Sequence, residues 1–395
     1  MRHGALLVLL LLALGLAACG GEADTTSEPA ASPAEPTAPA PASGSTSAPP
    51  EPAPEPPASA PAEPAAEDGW ILALARRVGP GATSLAAIDH EAVRQANGLD
   101  RPGDDPDAVA DYLAEVSGGD APAIELTFLS PRGAADVAGW RDEIGFSLVD
   151  LDQELTAGDP PDDVLVVAGD LDGGRVLDRL GASDGATAAE HEGVPYVAVG
   201  EDGKTSLRDR TTVRSLGESL RVAADDDVAV LAPTTAAIEA SIDAAAGGAS
   251  LADDPALAEV VRALEAEDVY GAFAWTDVAG FAASGVLDRD GQPLPGPFVA
   301  PYVALGIGAT VADGAPVLVL AFLHDDEAAA AAAVDRVRAV VEQGASATGP
   351  AWSELVEIES IEARGRVALA RLRPSSPALW ARVAQARDTL VAWAP

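Results

Sequence analysis

Residues 302–323 read YVALGIGATVADGAPVLVLAFL. Two apolar runs flank Asp313-Gly314. Asp-Gly between β-prone runs predicts a two-residue hairpin, because both central residues of the turn must take positive φ. The segment that follows, DDEAAAAAAVDRVRAVVEQG at 325–344, reads as one long helix. Strand, tight turn, strand and helix, in that order, predict an antiparallel sheet with a helix laid across it.

Working outward, the same pattern recurs. Strands are expected at 123–129 (AIELTFL), 163–169 (DVLVVAG), 194–200 (VPYVAVG), 220–232 (LRVAADDDVAVLA), 269–275 (VYGAFAW) and 365–372 (GRVALARL). Several show period-two alternation or a short continuous apolar run. VAADDDVAV at 222–230 reads as a second hairpin with an acidic tip. DPDAVADYLAEVSGG at 105–119 predicts a helix. Pro106 opens it, Val109, Tyr112, Leu113 and Val116 share one face, and glycines close it. The last segment, 365–395, adds a strand and an amphipathic helix with Leu379, Val383, Ala386, Leu390 and Trp393 on its inward stripe. Strand–helix–strands–helix runs through 164–248, beginning VLVVAGDLDGGRVLDRLG. VYGAFAWTDVAGFAASG at 269–285 opens a similar series that ends in the helix at 325–344. The expected fold class is α+β, antiparallel sheets backed by helices, with a weak internal duplication that divides residues 68–395 into lobes at 68–250 and 251–395.

The phrase GGASLADDPALAEVVRALEAEDVYGAFAWTD, 247–277, is the most distinctive. Gly247-Gly248 ends a helix, Asp254 is placed to cap the next one, and Pro255 suits its first turn. Leu257, Val260, Val261 and Leu264 should then face the core. Ser250 to Pro255, with the helix and strand after it, resembles uncharacterised bacterial surface proteins in which a SLADDP-like segment separates a helix from the next α+β repeat. The resemblance implies an α+β fold and an envelope location, and carries over no functional residue.

The start of the chain is of another kind. Arg2 and His3 precede an apolar run from Ala5 to Ala18, within LALGLAACGGE at 12–22. A charged start, a short apolar core and small residues before a break make a secretory signal. The run is shorter than the ~20 residues that a spanning helix needs. Leu16-Ala17-Ala18-Cys19 resembles the lipobox of bacterial lipoproteins. That resemblance implies removal of residues 1–18, a diacylglycerol on the Cys19 thiol and often an N-acyl chain. Two or three acyl chains give stable anchoring where one would be marginal. Cys19 is the only cysteine, so no intramolecular disulfide is expected. Residues 20–67 hold Ala, Pro, Glu, Ser and Thr with no aromatic or large aliphatic residue. Such a chain cannot offset the entropy of ordering, so 19–67 reads as a lipidated residue and a disordered stalk. Residues 68–395 read as the globular region.

Formal charge is −39. Arg2 is the one base before residue 68, and eight acids lie in 20–67, which leaves about −32 on residues 68–395. That excludes a nucleic-acid partner, whose phosphates would be repelled. It also opposes lying flat on an anionic leaflet. Strong like charge favours a soluble monomer, and a salty habitat would screen it.

Candidate sites are few. AVGEDGKTS at 198–206 lacks the first glycine of a phosphate loop and is followed by LRDRTTVRS, polar and β-prone, so Glu201 to Lys204 reads as a turn. Asp170 and Asp172 begin a pattern like a calcium loop whose later ligands are missing, and DRDGQPLPGP at 288–297 fails the same test. His90, His191 and His324 show no metal-ligand spacing. No G-x-S-x-G elbow occurs. The tryptophans, Trp70 beside the stalk among them, sit in apolar surroundings and read as core. No catalytic residue, cofactor or metal is expected. The lipid attachment site Cys19, with Leu16, Ala17 and Ala18, is the one site the sequence names.

The functional expectation is a lipoprotein anchored through Cys19 on the extracytoplasmic side of the cell membrane. Its domain would be a non-catalytic binding or structural module that meets an envelope protein or a small-molecule or lipid ligand. One alternative is a solute- or lipid-binding carrier with an apolar pocket between its lobes. Another is a hydrolase whose dispersed Ser-His-Asp set uses His90, His191 or His324.

Overall fold

The computed structural model describes residues 68–394 apart from residue 104, 117–135 and 284–295. The lipobox, the stalk and the strand expected at 123–129 lie outside the described residues.

The hairpin read first forms as expected. β9 (Ala304–Ala312) and β10 (Ala315–Leu323) pair antiparallel around Asp313 and Gly314. Both turn residues have positive φ, +52° and +74°. Neither strand alternates between buried and exposed residues, because this sheet has helices on both faces. Its central strands therefore read as continuous apolar runs although they are antiparallel.

Among the described residues, twelve strands join in one antiparallel sheet. The others are β1 (Ser84–Asp89), β2 (Leu151–Ala157), β3 (Val164–Gly169), β4 (Ala186–His191), β5 (Val194–Val199), β6 (Leu220–Ala224), β7 (Val228–Ala232), β8 (Gly271–Trp275), β11 (Val356–Arg364) and β12 (Val367–Pro374). Their order across the sheet is β11-β12-β10-β9-β8-β1-β2-β3-β7-β6-β5-β4. β1 and β8 meet antiparallel at the middle. Outward from that pair the order is β1-β2-β3-β7-β6 on one side and β8-β9-β10-β12-β11 on the other, with the β5–β4 hairpin added at one edge.

The helices follow the same scheme for most of its length. α1 (Trp70–Ala75) precedes β1, and α7 (Pro255–Glu265) precedes β8. α5 (Gly173–Gly181) follows β3, and α8 (Glu327–Gln343) follows β10. α6 (Thr235–Ala245) follows β7, and α10 (Leu379–Ala386) follows β12. α1, α6 and α7 bury Ile71, Ile238, Leu257 and Val260 on one face of the sheet. On the other face lie α5, α8 and α10, with α2 (His90–Asn97), α3 (Pro106–Val116), α4 (Val137–Ile144) and α9 (Trp352–Leu355). The final helices α6 and α10 thus fall on opposite faces and break the correspondence. Strand order pairs β3–α5 with β10–α8, whereas the sequence reading set residues 164–181 against 269–285. The offset arises because β1 (SLAAID) and β2 (LDQELTA) are alanine-rich or polar and carry no strand signal, so the start of the first unit is hidden.

Several local expectations are met at atomic detail. Asp254 caps α7 by accepting from the N–H groups of Ala256 and Leu257, both at 2.9 Å. Just before it, Asp253 accepts from the Ser250 N–H (2.8 Å) and hydroxyl (2.9 Å), which closes the short turn that begins the SLADDP segment. Leu257, Val260, Val261 and Leu264 are fully buried. Glu265 of α7 accepts from the N–H groups of Ile71 (2.8 Å) and Leu72 (3.1 Å), so α7 caps α1. α10 departs from its expected stripe. It ends at Ala386, which is exposed, and Arg387 takes positive φ (+46°), so Leu390 reaches the core from a turn rather than from the helix.

Candidate functional site: an arginine-lined cleft

The three histidines are far apart in role. His90, at the start of α2, lies 3.6 Å from Glu154 on β2, and both are buried. His191 ends the edge strand β4 and meets Asp243 at 2.8 Å and Glu239 at 3.8 Å from α6. The hydrogen bond to Asp243 raises its pKa, against an opposing effect of burial. His324 follows β10 and bonds the Pro301 carbonyl through Nδ1 at 2.8 Å. Burial lowers its pKa more than that bond and the nearby Asp325 and Asp326 raise it. Each has a carboxylate or carbonyl for a neighbour, and none of these contacts is to a serine. Among the described residues no cluster of three metal-ligating side chains occurs. Asp172 caps α5 through the Arg175 N–H at 2.9 Å. The tryptophans pack in the core layers, and Trp70 Nε1 donates to Val269 O at 3.3 Å.

Glu201 to Lys204 form the turn that the sequence suggested, with the Lys204 N–H donating to Glu201 O at 3.0 Å. Its Asp202 carboxylate sits at the start of α6 and accepts from the Thr235 N–H (2.6 Å) and hydroxyl (3.0 Å). Burial alone would raise this carboxyl, but those bonds and the Arg221 charge outweigh it and hold it below the usual range. A carboxylate thus occupies the helix start where a phosphate loop would place its phosphate.

Beyond that turn, residues 205–218 leave the sheet and return. Thr205 pairs with Glu218, and the Ser206 N–H donates to Gly217 O at 2.9 Å. Gly217 has φ +70°, and a Cβ there would sit 1.8 Å from Ser206 O, so only glycine closes this neck. The tip folds down onto α4. Glu143 accepts from the Thr211 hydroxyl and from the Val213 N–H (3.0 Å), and Val213 is buried in the core.

Between the tip, α4, the end of α5 and the end of β5 lies a cleft of about 690 Å³. Leu180 and Val199 form its apolar floor, and Arg208, Arg210 and Arg214 reach its walls. Arg208 and Arg210 are exposed, whereas Arg214 is only 5% exposed. The Arg214 guanidinium donates through Nε to Glu218 O at 2.6 Å and through Nη2 to Gly217 O at 3.4 Å. Gly200, with φ +79°, makes room for it, since a Cβ there would lie 3.1 Å from Nη2. Asp184 and Asp209 stand exposed among the lining residues. Leu207 and Leu216 project from the same tip, 67% and 52% exposed.

Sequence reasoning passed over these arginines because LRDRTTVRS reads as a polar connection. One signal was present: four bases balance four acids within residues 200–219, in a region that otherwise carries a large negative excess.

No family model matches the chain, and no curated protein matches it. Among solved structures, crystal form III of TP0453 aligns at TM-score 0.41 and 11% identity, covering 79% of this chain and 97% of that one. Crystal form I aligns at TM-score 0.37 and 10% identity over 80% and 97%, and crystal form IV at 0.37 and 11% over 76% and 92%.

Proposed function

We propose that this chain is a lipid-anchored binding module of the cell envelope, held on the extracytoplasmic side of the membrane by acylated Cys19. Residues 20–67 are its stalk, and the cleft at the 205–218 tip is its binding site. Acylation is supported by Leu16-Ala17-Ala18-Cys19, which follows a charged start and a short apolar run. The binding role is carried by one observation: the buried Arg214 guanidinium lines an open cleft and, among the described residues, makes no ion pair. A solute-carrier role is a second reading, since the cleft falls in the range of small-molecule sites.

Expression in a bacterial host with radiolabelled palmitate tests the anchor. The wild-type chain should take up label and sediment with membranes, and Cys19→Ala should lose the label and appear in the soluble fraction. Retention of Cys19→Ala on membranes after salt washing would sink the anchoring claim.

A further inference from the structure

Resting on that reading, we infer that the cleft takes a ligand bearing a single phosphate-type oxyanion, gripped by Arg214 and closed over by Arg208 and Arg210. Three arginines are buried among the described residues: Arg94, Arg214 and Arg221. Arg94 meets Glu91 and Asp152, both at 2.6 Å. Arg221 meets Asp202 at 2.9 Å. Arg214 has only the two carbonyls, and among the described residues its Nη1 has no hydrogen-bond partner. Nη1 is not among the buried unpartnered atoms, so it meets water at the cleft, and an oxyanion that displaces that water supplies the counter-charge that Asp202 gives Arg221. Here the unpaired face borders the cleft, so the missing partner is one that enters from solvent.

Chemistry narrows the class. A guanidinium fork matches the paired oxygens of a phosphate or carboxylate. A carboxylate saturates one fork. A phosphate offers three acceptor oxygens and up to two charges, which suits one buried and two exposed guanidiniums at the same cleft. Glu143 keeps its charge in the lining, but the Thr211 hydroxyl and the Val213 N–H fix its carboxylate, and among the described residues it makes no ion pair with Arg214. Asp184 and Asp209, exposed in the lining, repel a polyanion and restrict the cleft to one oxyanion at a time.

Calorimetry on residues 20–395, the mature chain less its lipidated residue, tests this, since with neither the apolar run Ala5–Ala18 nor acyl chains any vesicle binding must come from the protein surface. Inorganic phosphate and glycerol phosphate are the soluble probes, phosphatidylglycerol vesicles the headgroup probe, and choline and glucose the cationic and neutral controls. Saturable binding of a phosphate probe is expected, weakened about tenfold for each guanidinium removed in Arg208→Ser and Arg210→Ser. Both side chains are exposed, and because Arg210 Nε also donates to Ser215 O at 2.6 Å, unchanged circular dichroism and urea midpoint of Arg210→Ser are required before its affinity is read. Arg214→Lys, which keeps the charge but not the fork, should also weaken binding. Binding of the soluble phosphates assigns a free solute, and binding of the vesicles alone assigns a lipid headgroup. Phosphate affinity that survives the arginine substitutions overturns the inference. If choline or glucose binds instead, and Ser183→Trp filling the cleft abolishes it, the inference fails while the cleft remains a binding site. If no probe binds, both fail.

Discussion

Replacing Glu154 by methionine should stabilise this protein. Glu154 lies on β2 at 1% exposure, and neither carboxylate oxygen has a hydrogen-bond partner. The Nε2 of His90, 3.6 Å away, is equally unpartnered, and so is the hydroxyl of Thr156 two residues along the strand. A buried polar group left unsatisfied costs about 1–3 kcal/mol, and methionine of similar length removes that cost while keeping the volume filled. The opposing term is the attraction to His90. Removing one member of a buried ion pair costs about 3–5 kcal/mol when its partner is left charged, but His90 and Glu154 stand 3.6 Å apart with no hydrogen bond between them, so little of that cost applies. The expected balance is a gain of about 1–2 kcal/mol. Urea unfolding followed by circular dichroism would show a higher midpoint at unchanged slope. Phosphate affinity should not move, because Glu154 is not among the residues lining the cleft. A loss of more than about 1 kcal/mol would refute the reasoning and show that the pair with His90 outweighs the missing hydrogen bonds.

Two further outcomes concern the cleft end of the sheet. Gly217→Ala should cost at least about 1–2 kcal/mol, since φ +70° is unfavourable for alanine and its Cβ would strike Ser206 O. It should also weaken phosphate binding, because Gly217 O holds Arg214, and an alanine variant as stable as wild type would count against the glycine-dependent neck. Asp243→Asn should move the His191 titration back toward the ordinary imidazole value, read from ring-proton shifts against pH. Because the His191 pKa is raised in the folded chain, its stabilising link between β4 and α6 is complete below the unfolded value near 6.5 and is lost as pH rises through the folded value. An unchanged titration in Asp243→Asn would remove Asp243 as the cause.

Legibility in this sequence follows burial. β9, β10 and β8 are covered on both faces and read as apolar runs with a turn that permits one geometry, so they announce themselves. α3 and α7 carry their caps and stripes in the usual places, and Asp254-Pro255 marks a helix start without help from tertiary structure. β1 and β2 are as central as any strand, yet SLAAID and LDQELTA are nearly silent. Alanine fits where helices press close, and Glu154 and Thr156 place polar side chains against the sheet where apolar ones are expected. β11 hides for another reason. Its alternation of Val356, Ile358 and Ile361 slips by one at a bulge between Ile358 and Ser360. The edge strand β4 is largely exposed and pairs only with β5, with the His191–Asp243 contact tying its end to α6.

The cleft was hidden more deeply, because what distinguishes Arg214 is the absence of a neighbour. From the sequence, the arginines at 94, 214 and 221 are alike: each stands near acids in a chain full of acids. Only the fold separates them, by bringing Asp152 to Arg94 and Asp202 to Arg221 while turning Glu218 so that its carbonyl, rather than its carboxylate, faces Arg214. In a region with about 32 negative charges in excess, an unpaired buried guanidinium is the least expected arrangement. Composition alone would place a carboxylate beside every base. The negative charge that acts at long range therefore also makes this one vacancy informative at short range. Within a Debye length of ~8 Å, the local guanidiniums govern what binds, and beyond it the acidic surface governs what approaches. A small, singly phosphorylated ligand passes both tests where a polyanion fails the second.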